Sequence, residues 1–291
     1  MMKDVLRLAR PIFLLLAGLM YILGAGISRF LGEFVALPAF WLGLGGAVLA
    51  QTSMSLLAEV FRPPNDPILP GDDRAARRTL RDAALYLSIG ALAALGVIAF
   101  LLFRDGRLTA PALLCLGLSL LVCVLYAVPP MRMLDRGFGE LLLTIQMAYL
   151  LPAIGFLLQT GSFHRLLNAI IVPLAFLVLA ALLALDFSTY AEDIKYGRRT
   201  FLERVGWEVA TPLHHGLIVA AYLLLGAAPL LGFSIGLLWP AFLTLPFAIL
   251  QIFWLRNITL GARPIWNLLT ANGLAVFGLT AYLLTLTVWL R

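Results

Sequence analysis

Residues 166–185 read LLNAIIVPLAFLVLAALLAL and contain no charged side chain. A helix needs about 20 predominantly apolar residues to cross the hydrocarbon core of a bilayer, and this stretch has that length. Its apolar residues are continuous rather than alternating, which favours a helix over a strand of a membrane barrel. Because backbone groups in lipid must be satisfied within the segment, we expect a membrane-spanning helix here.

The rest of the chain repeats this pattern. Of its 291 residues, 62% are hydrophobic and 12% are charged, whereas an average soluble domain has about a quarter charged residues. The stretch 209–255 is about twice the length of one span and has Gly232 near its middle, so we expect two spans joined by a tight turn. The nearly charge-free stretches are 11–28, 34–58, 83–103, 108–131, 141–164, 166–185, 209–255 and 264–290. We therefore predict an all-α polytopic membrane protein with nine transmembrane helices, forming one domain over residues 1–291.

Basic residues divide unevenly between the two sides of such a bundle. All but five of the 21 lysines and arginines fall on the side of the N-terminus, the exceptions being Arg29, Arg104, Arg107, Arg165 and Arg291. Because cytoplasmic loops are enriched in basic residues, we expect the N-terminus and the charged loops in the cytoplasm and the C-terminus on the opposite side. The net charge of +6 follows from this topology, so we expect a lipid bilayer and no nucleic acid as a partner.

Polar residues follow directly on the opening stretch, in the segment DFSTYAEDIKYGRRT (186–200). We expect the helix to continue into this segment and to end at Gly197. Asp186 and Asp193 are then two turns apart on one face, and Thr189 and Tyr190 lie between them. A solvated helix end with local ion pairs would have the same composition.

Two carboxylates at this spacing suit a hard divalent cation. Mg²⁺ takes one or two protein carboxylates together with phosphate oxygens of a substrate. Lys195, Arg198 and Arg199 follow in the sequence and could bind the same phosphates.

A second polar segment, QTSMSLLAE (51–59), lies at the end of the second predicted span. Thr52, Ser55 and Glu59 share one helix face, and Gln51 lies beside them. This stripe is compatible with a site and equally with hydrogen bonds between helices. Prolines interrupt the backbone on both sides of Asn65-Asp66, so we expect these two residues to lie outside any helical cluster.

Three further segments read GRRTFLERVG (197–206), YAVPPMRMLDRGFGE (126–140) and PILPG (67–71). In their order and spacing they resemble motifs of the UbiA superfamily of intramembrane prenyltransferases, whose members read GxxTL, YxxPPxRLKxRGxxGE and RPLPSG there. The resemblance covers the whole chain. It implies the family architecture, a UbiA-like bundle of nine spans with charged loops in the cytoplasm.

The resemblance also implies an activity. In the family, two aspartate-rich helices hold Mg²⁺ and a prenyl diphosphate, and the allylic carbon alkylates a lipophilic acceptor, often an aromatic quinone precursor. It implies that Glu59, Asp186 and Asp193 are metal ligands and catalytic residues, and that Tyr126 lends cation–π support. The implied substrate-binding residues are Gln51, Thr52, Ser55, Arg62, Arg74, Arg132, Thr189, Tyr190, Lys195, Arg198 and Arg199.

The sequence departs from the family in both aspartate-rich motifs. The first, NDxxDxxxD, aligns with Gln51, Thr52, Ser55 and Glu59, and Thr189 occupies the middle position of the second. We therefore expect reduced metal binding, with arginines carrying more of the diphosphate charge.

Other readings remain open. Glu140 could act as a base or orient an acceptor, or it could simply stabilise a helix start. The rival functions are a terpene cyclase on the same scaffold, a noncatalytic isoprenoid-binding protein and a transporter. The scarcity of charge inside the spans argues against a proton-coupled transporter.

Overall fold

The computed structural model describes residues 2–63, 66–68 and 74–291, with the backbone alone for residues 2, 3, 5 and 74. Within these ranges the chain forms helices and no strands, and nine helices are long and apolar enough to cross a membrane. The predicted fold class and number of spans are thus confirmed for the described residues. We number the nine helices α1–α9 in chain order: Pro11–Phe30, Leu37–Val60, Ala75–Arg104, Ala110–Ala127, Gly139–Thr160, Arg165–Tyr196, Trp207–Leu231, Ile235–Thr259 and Trp266–Leu290.

Two predicted helix boundaries depend on glycine. Helix α6 runs without interruption from the apolar stretch into the polar segment and ends at Gly197, whose φ of 70° is the left-handed conformation common after a helix. Between α7 and α8 a short 3₁₀ turn, Ala228–Leu231, leads to Gly232 with a φ of 86°. The long apolar stretch 209–255 is therefore two spans joined by a tight turn, as predicted.

Helices α1, α5 and α6 form the interior of the bundle, whereas α3, α7 and α8 are more exposed. Helix α1 packs closely on α5 because both carry glycine at the contact. A Cβ at Gly24 would lie 1.9 Å from the carbonyl oxygen of Pro152, and one at Gly155 would lie 2.3 Å from that of Tyr21. Small residues allow helix backbones to approach in a membrane, where packing replaces the hydrophobic effect as the driving force.

The helix order brings the polar connections to one end of the bundle. Odd-numbered helices begin and even-numbered helices end on the side of the N-terminus. The described parts of the connection after α2, 61–63 and 66–68, therefore share that end with the connections 128–138 and 197–206, and the last contains a short helix, Phe201–Val205. This arrangement gathers the polar segments of the sequence at one mouth of the bundle.

The close contact between α1 and α5 generates a stability prediction. Gly24→Ala and Gly155→Ala should each overpack the contact and destabilise the protein by about 1–3 kcal/mol or more, because the added methyl group meets backbone that cannot move aside. Gly90→Ala and Gly216→Ala are matched controls, since their added Cβ meets nothing within 4 Å. Thermal unfolding in detergent should show a lower Tm for the first two variants alone. Equal Tm values for all four would contradict the packing described here.

Candidate active site

A cavity of about 460 Å³ lies at the mouth where the polar connections meet. Its wall is built from the starts of α1 and α5 and the ends of α2, α4 and α6. Apolar side chains such as Phe13, Leu143 and Leu182 form part of the lining. The charged residues of the described lining are Arg10, Glu59, Arg62, Asp66, Arg132, Asp135, Glu140, Asp186, Asp193 and Arg198. This mixture suits a ligand with a charged head and an apolar body.

Glu59, at the end of α2, lies between two arginines and is 3% exposed. Arg62 Nε is 2.7 Å from Glu59 Oε2, and Arg10 Nη2 is 3.4 Å from Glu59 Oε1. Arg62 Nη1 also donates to the carbonyl oxygen of Pro67 at 2.7 Å and lies 3.5 Å from Asp66 Oδ1. A buried carboxylate is costly unless it is paired, so Arg10 and Arg62 compensate the charge of Glu59.

Arg198 joins Asp66 to Asp193. Its Nε and Nη2 donate to the two carboxylate oxygens of Asp66, each at 2.7 Å, and its Nη1 donates to Asp193 Oδ1 at 3.1 Å. Gly197 turns the chain back at the end of α6, and Thr189 donates to Asp193 Oδ2 at 2.7 Å. The two-pronged contact with Asp66 is the strong geometry for a guanidinium and a carboxylate. It ties the loop after α2 to the end of α6.

These contacts also fix the charge of Arg198. Burial opposes the positive charge, but the hydrogen bonds and negative charges of Asp66 and Asp193 outweigh it and raise the pKa of the Arg198 guanidinium above its ordinary value. Arg198 is therefore always cationic. We refer below to the ion-pair network, which consists of Arg10, Glu59, Arg62, Asp66, Asp193 and Arg198.

Arg132 holds the ends of α2 and α4 together. Its Nη1 donates to the carbonyl oxygens of Ala58 at 3.3 Å and Ala127 at 3.1 Å, and its Nε donates to Asp135. The last carbonyl groups of a helix lack partners and carry partial negative charge, so the guanidinium stabilises both ends. Arg132 (φ 33°) and Arg10 (φ 53°) are the non-glycine residues with positive φ in the described chain. Such strained conformations concentrate at functional sites.

Two carboxylates of the described lining have no arginine partner. Glu140, in the first turn of α5, is 7% exposed and accepts a hydrogen bond from the backbone N–H of Phe201 at 3.3 Å. On α6, the Oδ2 atom of Asp186 is buried and has no hydrogen-bond partner. The two carboxyl groups lie close enough to interact with each other. No described arginine contacts this pair, and the two carboxyl groups share a hydrogen bond with each other.

The structure brings eight of the residues predicted from the sequence into the cavity lining: Glu59, Arg62, Tyr126, Arg132, Asp186, Thr189, Asp193 and Arg198. The two motif-bearing helices, α2 and α6, therefore meet at one cavity. Tyr126 is 3% exposed and is the predicted aromatic residue that reaches it.

Of the polar stripe of α2, which consists of Gln51, Thr52, Ser55 and Glu59, Glu59 alone reaches the described cavity lining. Gln51 and Ser55 are buried in the bundle interior. The hydroxyl group of Thr52 donates to the carbonyl oxygen of Val48, one turn earlier, at 2.7 Å. These residues lie in the helix interface, outside the described lining.

Three other predicted substrate-binding residues are not brought to the cavity. Tyr190 packs against Trp207 with ring centroids 5.8 Å apart, and Lys195 and Arg199 are exposed. The side chain of Arg74 lies outside the described part of the chain, as do residues 69–71 of the PILPG segment.

Sequence reasoning did not assign two members of the ion-pair network. Asp66 does lie outside any helix, as the surrounding prolines require, but it enters the cluster from the loop and is 1% exposed. Helical periodicity cannot predict such a contact.

The contact of Arg10 could have been predicted from the sequence. Arg10 directly precedes Pro11 at the start of α1, where the helix dipole disfavours a cation, so a carboxylate partner was to be expected.

The metal ligands predicted from the sequence do not gather into a shared cluster. Among the described residues, no group of three or more His, Cys, Asp or Glu side chains is arranged to hold a metal ion. Glu59 and Asp193 are each bound to guanidinium groups, whereas Asp186 keeps a buried oxygen without a partner. These side chains therefore fit a metal ion that is bound by Asp186 and by oxygen atoms of a ligand. They do not fit a metal ion that is bound by Glu59, Asp186 and Asp193 together.

No family model matches this sequence, and no curated protein sequence matches it. Solved structures match over almost the full length. A UbiA homolog from Archaeoglobus fulgidus bound to GPP and Mg²⁺ has a TM-score of 0.64 and 19% identity, over 99% of this chain and 98% of that chain. A UbiA homolog from the same organism bound to DMAPP and Mg²⁺ has a TM-score of 0.63 and 18% identity, over 99% of this chain and 98% of that chain. A structure of digeranylgeranylglyceryl phosphate synthase has a TM-score of 0.63 and 14% identity, over 100% of this chain and 99% of that chain. The chain has the fold of these proteins.

The Arg198 bridge generates the second prediction. Arg198→Gln leaves the buried carboxylates of Asp66 and Asp193 without this guanidinium and should destabilise the protein by about 2–3 kcal/mol. Arg199→Gln, one position further and exposed, should change stability by less than about 0.5 kcal/mol. Unfolding in detergent would be followed by tryptophan fluorescence.

A double-mutant cycle isolates the contact itself. Asp66→Asn combined with Arg198→Gln should be less destabilising than the sum of the single changes, because each removes the partner of the other. Additive effects, or equal losses for the Arg198 and Arg199 variants, would show that the bridge does not stabilise the fold.

Proposed function

We propose that this protein is a divergent member of the UbiA superfamily that transfers a prenyl group from a prenyl diphosphate to a lipophilic acceptor of the aromatic, quinone-precursor type. One observation carries the proposal: a cavity lined by guanidinium groups, carboxylates and apolar side chains lies at the mouth of a bundle with the UbiA fold. The solved neighbours of that fold include UbiA homologs bound to GPP or DMAPP with Mg²⁺.

The lining offers a place for each part of a prenyl diphosphate. Arg10, Arg62 and Arg198 present guanidinium groups that can bind phosphate oxygens. Phe13 and Leu143 contribute the apolar surface that an isoprenoid tail would bury and that keeps water from a reactive carbon. Because each of these arginines already pairs with a carboxylate, a bound diphosphate would share or replace those partners.

The charge of the lining indicates that a diphosphate needs an added cation. The described lining holds four arginines and six carboxylates, so its formal charge is negative. Mg²⁺ would neutralise the charge that builds on the departing diphosphate. Asp186, with its unpartnered oxygen, is the lining residue best placed to hold such an ion.

The proposed reaction breaks the bond between the allylic carbon and the diphosphate oxygen, and the electron pair leaves with the diphosphate. The allylic carbon then bonds to a carbon of the acceptor, which loses a proton. Tyr126 is buried in the lining and offers an aromatic face to the cationic carbon.

We also propose an orientation. The uneven distribution of basic residues supports an N-terminus and a cavity mouth in the cytoplasm, with the C-terminus on the opposite side. Soluble prenyl diphosphates would then reach the cavity directly.

A second candidate is a noncatalytic isoprenoid-binding protein. It is favoured by the pairing of Glu59 and Asp193 with arginine, which removes two carboxylates from metal binding. Release of diphosphate separates the two candidates, because a binder retains its ligand intact.

Activity is tested on purified protein with Mg²⁺, a panel of prenyl diphosphates that includes GPP, and aromatic acceptors, with products analysed by mass spectrometry. We expect an acceptor-dependent prenylated product. Asp186→Asn and Asp193→Asn should each lower the turnover by more than about 100-fold, because the first weakens the hold on the metal ion and the second removes the partner that positions Arg198. Glu192→Gln, on the exposed face of the same helix, should leave turnover unchanged.

The possible outcomes discriminate between the candidates. Full activity in both aspartate variants would refute this site. A cyclic hydrocarbon formed without acceptor would indicate a cyclase, and binding of GPP without diphosphate release would indicate a binding protein.

Orientation is tested with single cysteines in sealed, oriented vesicles. Ser162→Cys lies in the connection after α5 and Glu203→Cys in the connection after α6, and both positions are exposed. A membrane-impermeant thiol reagent should label them from opposite sides, position 203 from the cytoplasmic side. The native Cys115 and Cys123 are buried and should give little background. Labelling of both positions from one side would contradict the proposed topology.

A further inference from the structure

A second cavity lies between the helices in the middle of the bundle, apart from the candidate active site. It has a volume of about 250 Å³ and is enclosed by α2, α3, α4 and α5. Its described lining shares no residue with that of the candidate active site. On α2, Ala58 lines the candidate active site and Ala50 lines this second cavity, and the two residues are about 12 Å apart along the helix axis. We refer to the second cavity as the central cavity.

The central cavity opens toward the lipid. Helix α3 packs along α2 and makes few contacts with α4 in the described chain, so a cleft remains between these two consecutive helices. Gly96 on α3 and Leu120 on α4 line the cavity and are also exposed on the outside of the bundle. A membrane-soluble molecule can therefore enter from the bilayer without passing the candidate active site.

One polar side chain interrupts the apolar lining. The described lining consists of glycine, alanine, leucine and isoleucine apart from Ser119, which lies near the middle of α4. Ser119 Oγ accepts a hydrogen bond from Gln146 Nε2 at 2.7 Å, and its own hydroxyl hydrogen has no acceptor among the described residues. An apolar lining with a small number of oriented polar groups is typical of ligand pockets.

Gln146, which binds Ser119 from α5, has an unused amide atom. The residue is 0% exposed, and its Oε1 atom has no hydrogen-bond partner in the described chain. A residue that served only to join α4 to α5 would leave this oxygen buried at a cost. Gln146 also lies in a π-helical turn of α5, Ile145–Leu150, and such turns are rare and occur frequently at functional sites. The pair Ser119 and Gln146 therefore has one donor and one acceptor left for a ligand.

We infer that the central cavity binds a small membrane-soluble phenol, which enters between α3 and α4 and bonds through its hydroxyl group with Ser119 and Gln146. A hydroxyl group both donates and accepts, so it satisfies Gln146 Oε1 and the hydroxyl hydrogen of Ser119 together. The volume lies below the range of about 300–1,000 Å³ that holds drug-sized ligands, which limits the ligand to one ring with a short chain. Gly43, Gly46 and Gly96 give the wall stretches without side chains, which suit the flat face of a ring. Binding at this site does not rest on the proposed function.

The inference is tested by photolabelling of the purified full-length protein in nanodiscs. The probe is para-pentylphenol with a diazirine on its alkyl chain, and mass spectrometry of peptides locates the label. We expect label on the residues of α3 and α4 that line the central cavity. Unlabelled para-pentylphenol should displace the probe at a concentration in the lipid about 3-fold to 10-fold lower than pentylbenzene, which lacks the hydroxyl group.

Two variants test the hydroxyl contact and the entrance separately. Gln146→Leu should lower the affinity for para-pentylphenol by about 3-fold to 10-fold and leave that for pentylbenzene unchanged, which shows that the cavity itself is intact. Gly96→Leu fills the opening and should abolish labelling of the cavity. Gly90→Leu is its matched control on the same helix, because a Cβ at either glycine meets nothing within 4 Å and Gly90 lies outside the described lining.

Three results would overturn the inference. Label that spares the central cavity would show that the phenol does not bind there. Equal displacement by para-pentylphenol and pentylbenzene in the wild type would indicate a groove for lipid chains, without a role for Ser119 and Gln146. Undiminished labelling of the cavity in Gly96→Leu would refute the entrance between α3 and α4. None of these measurements uses a prenyl diphosphate, so their outcome leaves the proposed function unchanged.

Discussion

The structure of the cavity at the end of the bundle depends on arginines that neutralise the charge of buried carboxylates. Glu59, Asp66 and Asp193 are nearly inaccessible to solvent, and each would be costly at the edge of a bilayer without an opposite charge. Arg62 and Arg198 provide that charge from segments that the helices alone would not bring together. The loop after α2 and the end of α6 are thereby fixed around one cavity.

Arginine and a metal ion are alternative ways to neutralise the same carboxylates, and they differ in what they permit. A guanidinium belongs to the chain, has fixed donors and remains after any reaction. A metal ion binds phosphate oxygens at the same time and can stabilise a leaving group. Where arginine pairs with Glu59 and Asp193, the carboxylates therefore contribute to architecture, and the cavity is preorganised before any ligand enters.

Most of the fold could be predicted from the sequence because span length and apolar continuity are local properties. The continuation of α6 through Asp186 and its end at Gly197 also follow from local rules of helix formation. The site was only partly predictable. Helical spacing places Asp186 and Asp193 on one face, but it cannot reveal that Arg198 folds back onto Asp193 or that Asp66 enters from a proline-rich loop. The contact between Arg198 and Asp66 joins residues 132 positions apart, and only the packing of the helices brings them together.

The same reasoning explains why the uncharged polar residues of α2 predicted the site less well than its charged residue, Glu59. Thr52 satisfies its hydroxyl group on its own helix, and Gln51 lies within the helix interface, so neither needs a ligand. A buried carboxylate cannot be satisfied by a backbone carbonyl in this way, because it only accepts hydrogen bonds when ionised. Glu59, Asp66 and Asp193 each have an arginine partner, whereas Glu140 and Asp186, which no described arginine contacts, interact with each other.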